Sequence, residues 1–236
     1  MSFTLQFEPV LAETDLILNG IKLTILLSAG AIILGTALAI LLVGLRSLAG
    51  GIVAFCVDTY VELLRNTPFL VQLFMIFFGL PLLGLRMSGI EAGLLAMTLN
   101  LSAYSTEIIR AGVDSTHKSQ LEAGLSLALS RLQVFRYIVL KPAFAKVWPA
   151  LSSQFVLMLL TSSICSFISV PELSGSAAIV EQRTFRSFES YIIVTTAYLV
   201  IALTLKLGLI GLGHVLFGKR VKLDVIPAIA SKGSTA

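Results

Sequence analysis

The stretch that decides the fold runs from Ser119 to Pro142 and reads SQLEAGLSLALSRLQVFRYIVLKP. It has the pattern of a polar-backed helical segment, set between blocks too apolar for a water-soluble protein. Ser119 followed three residues later by Glu122 has the form of a capping box, in which the serine hydroxyl accepts from the third helical amide and the carboxylate reaches back to the first. A helix is expected to start there. Leu121, Leu125, Ala128, Leu129 and Leu132 then share one face of a 3.6-residue period, with Ala123, Gly124, Ser126, Ser130 and Arg131 on the others. Small residues let another surface come close, and Pro142 is expected to stop the helical turn that follows Phe135.

The surrounding composition sets the class. Of 236 residues, 56% are hydrophobic and 13% charged, and the mean hydropathy is +0.95, whereas about a quarter of a typical globular domain is charged. The chain is an all-α membrane protein on these grounds. Its formal net charge of +4 does not point to nucleic acid, because the basic residues are not clustered with aromatics; asymmetry across a bilayer accounts for them. Cys56 and Cys165 lie in apolar runs without metal or redox spacing and are expected to be small buried hydrophobes. Glu8, Glu13 and Asp15 precede the first apolar run with no basic leader, so no cleaved secretory signal is expected.

A bilayer core of about 30 Å takes about 20 apolar residues, and the gaps between charges place crossings at about residues 23–45, 68–85, 92–110, 147–170 and 191–217. Between the first two lies IVAFCVDTYVELLR (52–65), whose Asp58, Glu62 and Arg65 fall on one helical face and belong at an interface rather than at mid-bilayer. Pro68 begins or kinks the second crossing. Residues 1–20 are read as an extracytoplasmic segment, 111–146 as a cytoplasmic loop, 172–188 as an amphipathic outer helix with Leu173, Ala177 and Val180 on one side, and 218–236 as a basic cytoplasmic tail. Five crossings put the termini on opposite sides. Placing the C-terminus inside leaves only Lys22, Arg86, Arg183 and Arg186 on the outer side, so the positive-inside rule selects N-out, C-in.

No P-loop, zinc-protease, serine-hydrolase or metal-spaced pattern occurs, so the chain is read as having no catalytic residue and no metal site, and as not hydrolysing nucleotides unaided. Nor does it carry the string of intramembrane carboxylates that an ion-driven carrier uses. Polar residues at mid-depth, Gln72, Asn100, Gln154 and Thr161, with Ser153, Leu157 and Met158 beside them, are candidates for a substrate pathway; hydrogen bonds between helices are the plainer role for such groups. Glu62 with Arg65, and Glu107 with Arg110, are i, i+3 pairs near one membrane face, either anchoring salt bridges or an inner gate. Trp148, Tyr137 and Tyr191 are expected in the interfacial belts, and His214 at an interface. An apolar stripe on the inner loop must be covered by something, either the span ends of the chain itself or a partner. An energy-delivering partner has only that loop to act through.

The segment from Leu121 resembles the coupling loop of binding-protein-dependent ABC importer permeases, most nearly those for polar amino acids and opines. GIKLTILLSA (Gly20–Ala29), YVELLRNTPFLVQLF (Tyr60–Phe74), AYSTEIIRAGVDS (Ala103–Ser115) and VPEL (Val170–Leu173) resemble further signatures of that group, so the likeness extends from Gly20 to the last crossing. The resemblance implies the five-span core of the type I, MetI-like permease fold in a bacterial inner membrane, in contact with lipid. It implies that Ser119, Leu121, Glu122, Ala123, Gly124, Leu125, Ala128 and Leu129 form a coupling helix seated on a separate ATPase. Two ATPase subunits would bind the ATP and magnesium, a second permease subunit of the same or a similar kind would complete the pathway, and an extracytoplasmic binding protein would deliver cargo to the outer turns. No cofactor is implied in this chain. The sequence departs from the family pattern at Gly124, where a second alanine is usual, and at Ala128, where a glycine is usual. In the fourth crossing, Ser153, Leu160 and Thr161 stand where many members carry Asn and a Lys-Asp or His-Ser pair. The rival reading is a self-contained carrier or channel driven by an ion gradient.

Overall fold

The computed structural model describes residues 5–218, and those residues form helices with no strand among them. The expected basic tail, beyond Gly218, lies outside the described residues. After a helical turn at Glu8–Leu11, α1 runs over Thr14–Ala49 and ends at Gly50 and Gly51, whose φ values of +59° and +54° suit residues without a Cβ. The chain doubles back into α2 (Gly51–Arg65). Asn66, Thr67 and Pro68 then break it before α3 (Phe69–Phe74), which continues as a π turn over Met75–Gly79 and a 3-10 turn over Leu80–Leu83. Pro68 is extended and caps α3, so the sequence signal for a kink is realised as a bend of 106° between the two halves.

Next comes α4 (Gly89–Asp114), whose start carries the reciprocal Ser88 and Glu91 capping box. A short helix, α5 (Lys118–Ser126), leads through a turn to Arg131–Gln133, a π-helical run over Val134–Leu140 and α6 (Lys141–Thr161), which tightens to a 3-10 turn over Ser162–Ile168. The outer segment is α7 (Leu173–Thr184), and α8 (Ser187–Phe217) closes the bundle. Three described helical runs, Thr14–Ala49, Arg131–Ile168 and Ser187–Phe217, are long and apolar enough to cross a membrane, and the bent pair adds a fourth if its halves count as one. With 26 residues α4 is about 39 Å long, but it is not among the runs that are also apolar enough to cross. Its polar residues are accommodated because it packs against α1, α2 and α6.

Two cores result. The larger joins α1, α4 and α6 through Leu27, Ala31, Met97, Leu101, Leu151, Phe155 and their neighbours. The smaller gathers Val10 and Ile17 against Leu173, Ala177 and Val180 of α7, the side of that helix expected to be apolar, and Val194 of α8. The carboxylate of Glu172, 0% exposed, caps α7 by accepting from the amides of Ser174 (3.0 Å) and Gly175 (2.8 Å); it also accepts from the hydroxyls of Thr24 in α1 and Tyr198 in α8. Gly175 lies so close to Val170 that a Cβ would overlap the Val170 carbonyl oxygen.

Several local expectations are corrected. Pro142 breaks nothing, because it sits in the first turn of α6, where a missing amide hydrogen is tolerated, and the π-helical run joins α6 directly. Trp148 is buried rather than in an interfacial belt: its indole N–H donates to the Leu209 carbonyl of α8 at 3.0 Å, with Phe155 and Phe217 alongside. Cys165 is buried as expected, but Cys56 is exposed.

Candidate functional site

The residues of the inner loop form a helix and a tight turn. The expected capping box at Ser119 is not made: the cap lies two residues earlier, at His117, and the Ser119 hydroxyl meets His117 Nδ1 at 2.9 Å. Boxes of the same kind form instead at Ser88 with Glu91 and at Ser130 with Gln133. The leucine stripe is not one continuous face either, because α5 ends at Ser126. There the Leu129 amide donates to the Gly124 carbonyl and the Ala128 amide to the Leu125 carbonyl, a Schellman turn with Ala128 left-handed at φ +58°. The bend that a glycine usually serves is therefore complete with alanine.

This turn brings the π-helical run back across α5. Gly124 is buried against it, and a Cβ there would overlap Ile138 Cδ1 and crowd Val134. Glycine in place of the family's second alanine is thus explained by the isoleucine facing it. Leu121 and Leu125 face this chain's own span ends across an open groove lined also by Leu48 of α1, Val113 of α4, and Val134 and Phe135, with Leu125 still 50% exposed. The side turned away from the groove is bare as well: Glu122 and Ala123 are exposed, and Leu127 is 76% exposed. Lys146 fastens the two ends of the loop by donating to the Ser115 carbonyl (3.2 Å) and hydroxyl (3.0 Å).

Beside the break between α2 and α3 lies a cavity of about 520 Å³, and five of the seven candidate pathway residues line it: Asn100, Gln154, Leu157, Met158 and Thr161. Gln72 sits behind the wall. Its carbonyl oxygen accepts from Asn100 Nδ2 at 3.0 Å, and its amide donates to the Leu64 carbonyl (2.7 Å) and to Thr67 Oγ1 (2.8 Å). It both pins the helix break and fixes the orientation of Asn100. Ser153 is exposed, bonds back to the Pro149 carbonyl at 3.1 Å and does not line the cavity. Sequence reasoning missed Arg65, Asn66, Thr67 and Tyr104 as wall residues. Tyr104 follows Asn100 by four residues, and that helical spacing could have found it.

The charged residues form a chain across three helices. Asp58 in α2 accepts from Arg46 of α1 at 2.7 Å and lies 3.5 Å from Arg110 of α4; Arg110 holds Glu107 at 2.5 Å, and Glu107 lies 3.7 Å from Arg65. The expected Glu107 and Arg110 pair is present. The expected Glu62 and Arg65 pair is not: Glu62 is exposed with no ion pair among the described residues, because Arg65 turns toward α4. Side chains in this chain of contacts are 28–39% exposed, so each pair adds little stability, about 0–1 kcal/mol.

A bundle with a polar cavity at a broken helix and a projecting helix at one end is the architecture of a transporter component rather than an enzyme. The chain belongs to the family described as the binding-protein-dependent transport system inner membrane component, whose model matches residues 31–216. It is therefore a multi-pass membrane permease with the type I importer fold, in a family that works with ATPase and substrate-binding partners. Among relatives, it is 33% identical over 208 residues to a probable glutamine ABC transporter permease of Bacillus subtilis strain 168, covering 88% of this chain and 94% of that one. It is 32% identical over 192 residues to a glutamine transport system permease of Escherichia coli strain K12, covering 80% and 88%. A crystal structure of an amino acid ABC transporter with histidines superposes with a TM-score of 0.81 at 32% identity, over 93% of this chain and 100% of that one. The MetNI methionine ABC transporter in an inward-facing form shares the fold at 15% identity, with a TM-score of 0.66 over 86% and 95%.

Proposed function

We propose that this chain is one half of the translocation pathway of a bacterial inner-membrane importer for a polar amino acid or an opine. A second permease subunit, the same or similar, supplies the other half. Two ATPase subunits bind ATP and magnesium and grip α5 from the cytoplasm, and an extracytoplasmic binding protein delivers cargo near α7, with the N-terminus outside and the C-terminus inside. The observation that carries this reading is the projecting helix. Its Gly124 is seated on the π-helical run that continues into α6, while its Glu122, Ala123 and Leu127 side is bare, so a force applied to it reaches α6.

The mechanism is alternating access. Closure of the ATPases draws the two projecting helices together and opens the pathway outward; cargo enters the cavity beside the helix break, and hydrolysis resets the bundle. Asn100, Gln154 and Thr161 offer it hydrogen bonds and Leu157 and Met158 an apolar wall. The charge chain from Arg46 to Arg65 acts as the inner gate, since weak exposed pairs across three helices can exchange partners at small cost.

Reconstitution with its ATPase and binding protein, followed by ATP-dependent uptake of radiolabelled glutamine, tests the reading. Glu122→Lys is expected to reduce both ATPase co-purification and uptake at least tenfold. Unchanged co-purification and uptake in that variant overturn the docking surface, and ion-gradient-driven uptake by the chain alone, without ATP, overturns the importer.

A further inference from the structure

We infer that the cavity selects cargo for a carboxylate, with Arg65 as the receiving group, and disfavours cargo whose side chain is cationic. The inference rests on the reading that this cavity holds cargo, and it narrows the substrate class within it.

The ion pairs are unevenly shared. Within 4 Å of one another stand the guanidinium groups of Arg46, Arg110 and Arg65 but only the carboxylates of Asp58 and Glu107; Asp114 acts from further off, on Arg46, so one guanidinium lacks a close partner of its own. That one is Arg65. Arg46 has both Asp58 oxygens, through Nε at 2.7 Å and Nη2 at 3.3 Å, and Arg110 has Glu107 at 2.5 Å. Arg65 reaches only Glu107, at 3.7 Å, a carboxylate already engaged more closely. A guanidinium carries five N–H donors in a planar fork shaped for a carboxylate, so most of the capacity of Arg65 is unspent.

Arg65 is also the member of the chain that lines the cavity, and no acidic residue lines it among the described residues. The other wall groups are amides, hydroxyls and apolar surface. Tyr104 meets the arginine twice: its ring centroid lies 5.7 Å from the guanidinium, and its hydroxyl donates to the Arg65 backbone carbonyl at 3.4 Å. A partly enclosed cavity with one fixed positive charge and no negative one attracts anionic groups and repels cationic ones. An amino acid presents its α-carboxylate to Arg65; an acidic amino acid or a carboxylate-rich opine adds a second anion, whereas lysine or arginine adds a cation with no wall carboxylate to meet it.

Equilibrium binding of radiolabelled L-glutamate, L-glutamine and L-lysine to the permease purified with its ATPase subunits, without the binding protein, tests this. Wild type is expected to bind glutamate and glutamine at least tenfold more tightly than lysine. Arg65→Gln should weaken glutamate at least tenfold, Arg65→Lys should keep part of that affinity, and Glu107→Gln, which removes the competitor for Arg65, should tighten glutamate several-fold. Assembly with the ATPase, followed by size-exclusion chromatography, reports that each variant is folded. Lysine binding more tightly than glutamate, or glutamate binding unchanged in both Arg65→Gln and Glu107→Gln, overturns the inference while leaving the cavity as the cargo site. Binding of none of the three by wild type overturns the cavity reading and this inference with it.

Discussion

The two ends of the bundle hold themselves together in opposite ways. At the Glu172 end a fully buried carboxylate is met by two backbone amides and hydroxyls from two other helices, and a glycine is pressed on backbone. At the Glu122 end the paired carboxylates are 28–39% exposed, the ion pairs are long or shared, and the glycine of α5 meets the tip of an isoleucine. One end satisfies its polar groups within the chain and is fixed. The other leaves surface and donors unclaimed, as suits a region that moves and is completed by partners.

The sharpest way to break that contrast is to remove the buried carboxylate. Glu172→Ala leaves amides and a tyrosine hydroxyl without their acceptor at a buried site, at about 1–3 kcal/mol each, and should lower the unfolding midpoint in detergent far more than Glu62→Ala. Equal midpoints would erase the distinction. Next in size, Gly175→Ala forces a methyl against a carbonyl that cannot turn aside, for a loss of about 2–3 kcal/mol that no neighbouring side-chain truncation restores.

At the other end Gly124→Ala should cost less, about 1–2 kcal/mol, because Ile138 Cδ1 can rotate or be removed. Combined with Ile138→Val, most of the loss should return; a double-mutant cycle on thermal midpoints measures it, and strict additivity would mean that the two side chains do not meet. The smallest effect belongs to Ala128→Gly. Relief of a left-handed alanine should raise the midpoint by the equivalent of about 0.5–1 kcal/mol, with Ala128→Val moving it the other way.

Much of this architecture could be read from the order of residues. Charge-free gaps locate long helices because a bilayer imposes a length, and Asn66, Thr67 and Pro68 mark the break because proline constrains its neighbour as well as itself. The start of α5 could not be placed to the residue. Ser119 with Glu122 has the same spacing as Ser88 with Glu91, and only the path of the chain through His117 decides which serine lies at a cap. Asn100 and Gln154 share a wall from mid-helix positions on packed helices, with Thr161 two turns beyond Gln154 at the end of α6, whereas Arg65 joins them through the 106° bend, whose angle no local pattern encodes. The burial of Glu172 likewise depends on hydroxyls 148 residues before it and 26 after it.

Trp148 is the single tryptophan of the sequence, and its ring lies in the seam between α6 and α8 with its N–H on the Leu209 carbonyl. Excitation at the indole band of the isolated permease therefore interrogates one place rather than an average over many. Emission wavelength and quenching would report, without any attached dye, whether those two helices part when nucleotide is added to an assembly whose other subunits have been stripped of tryptophan.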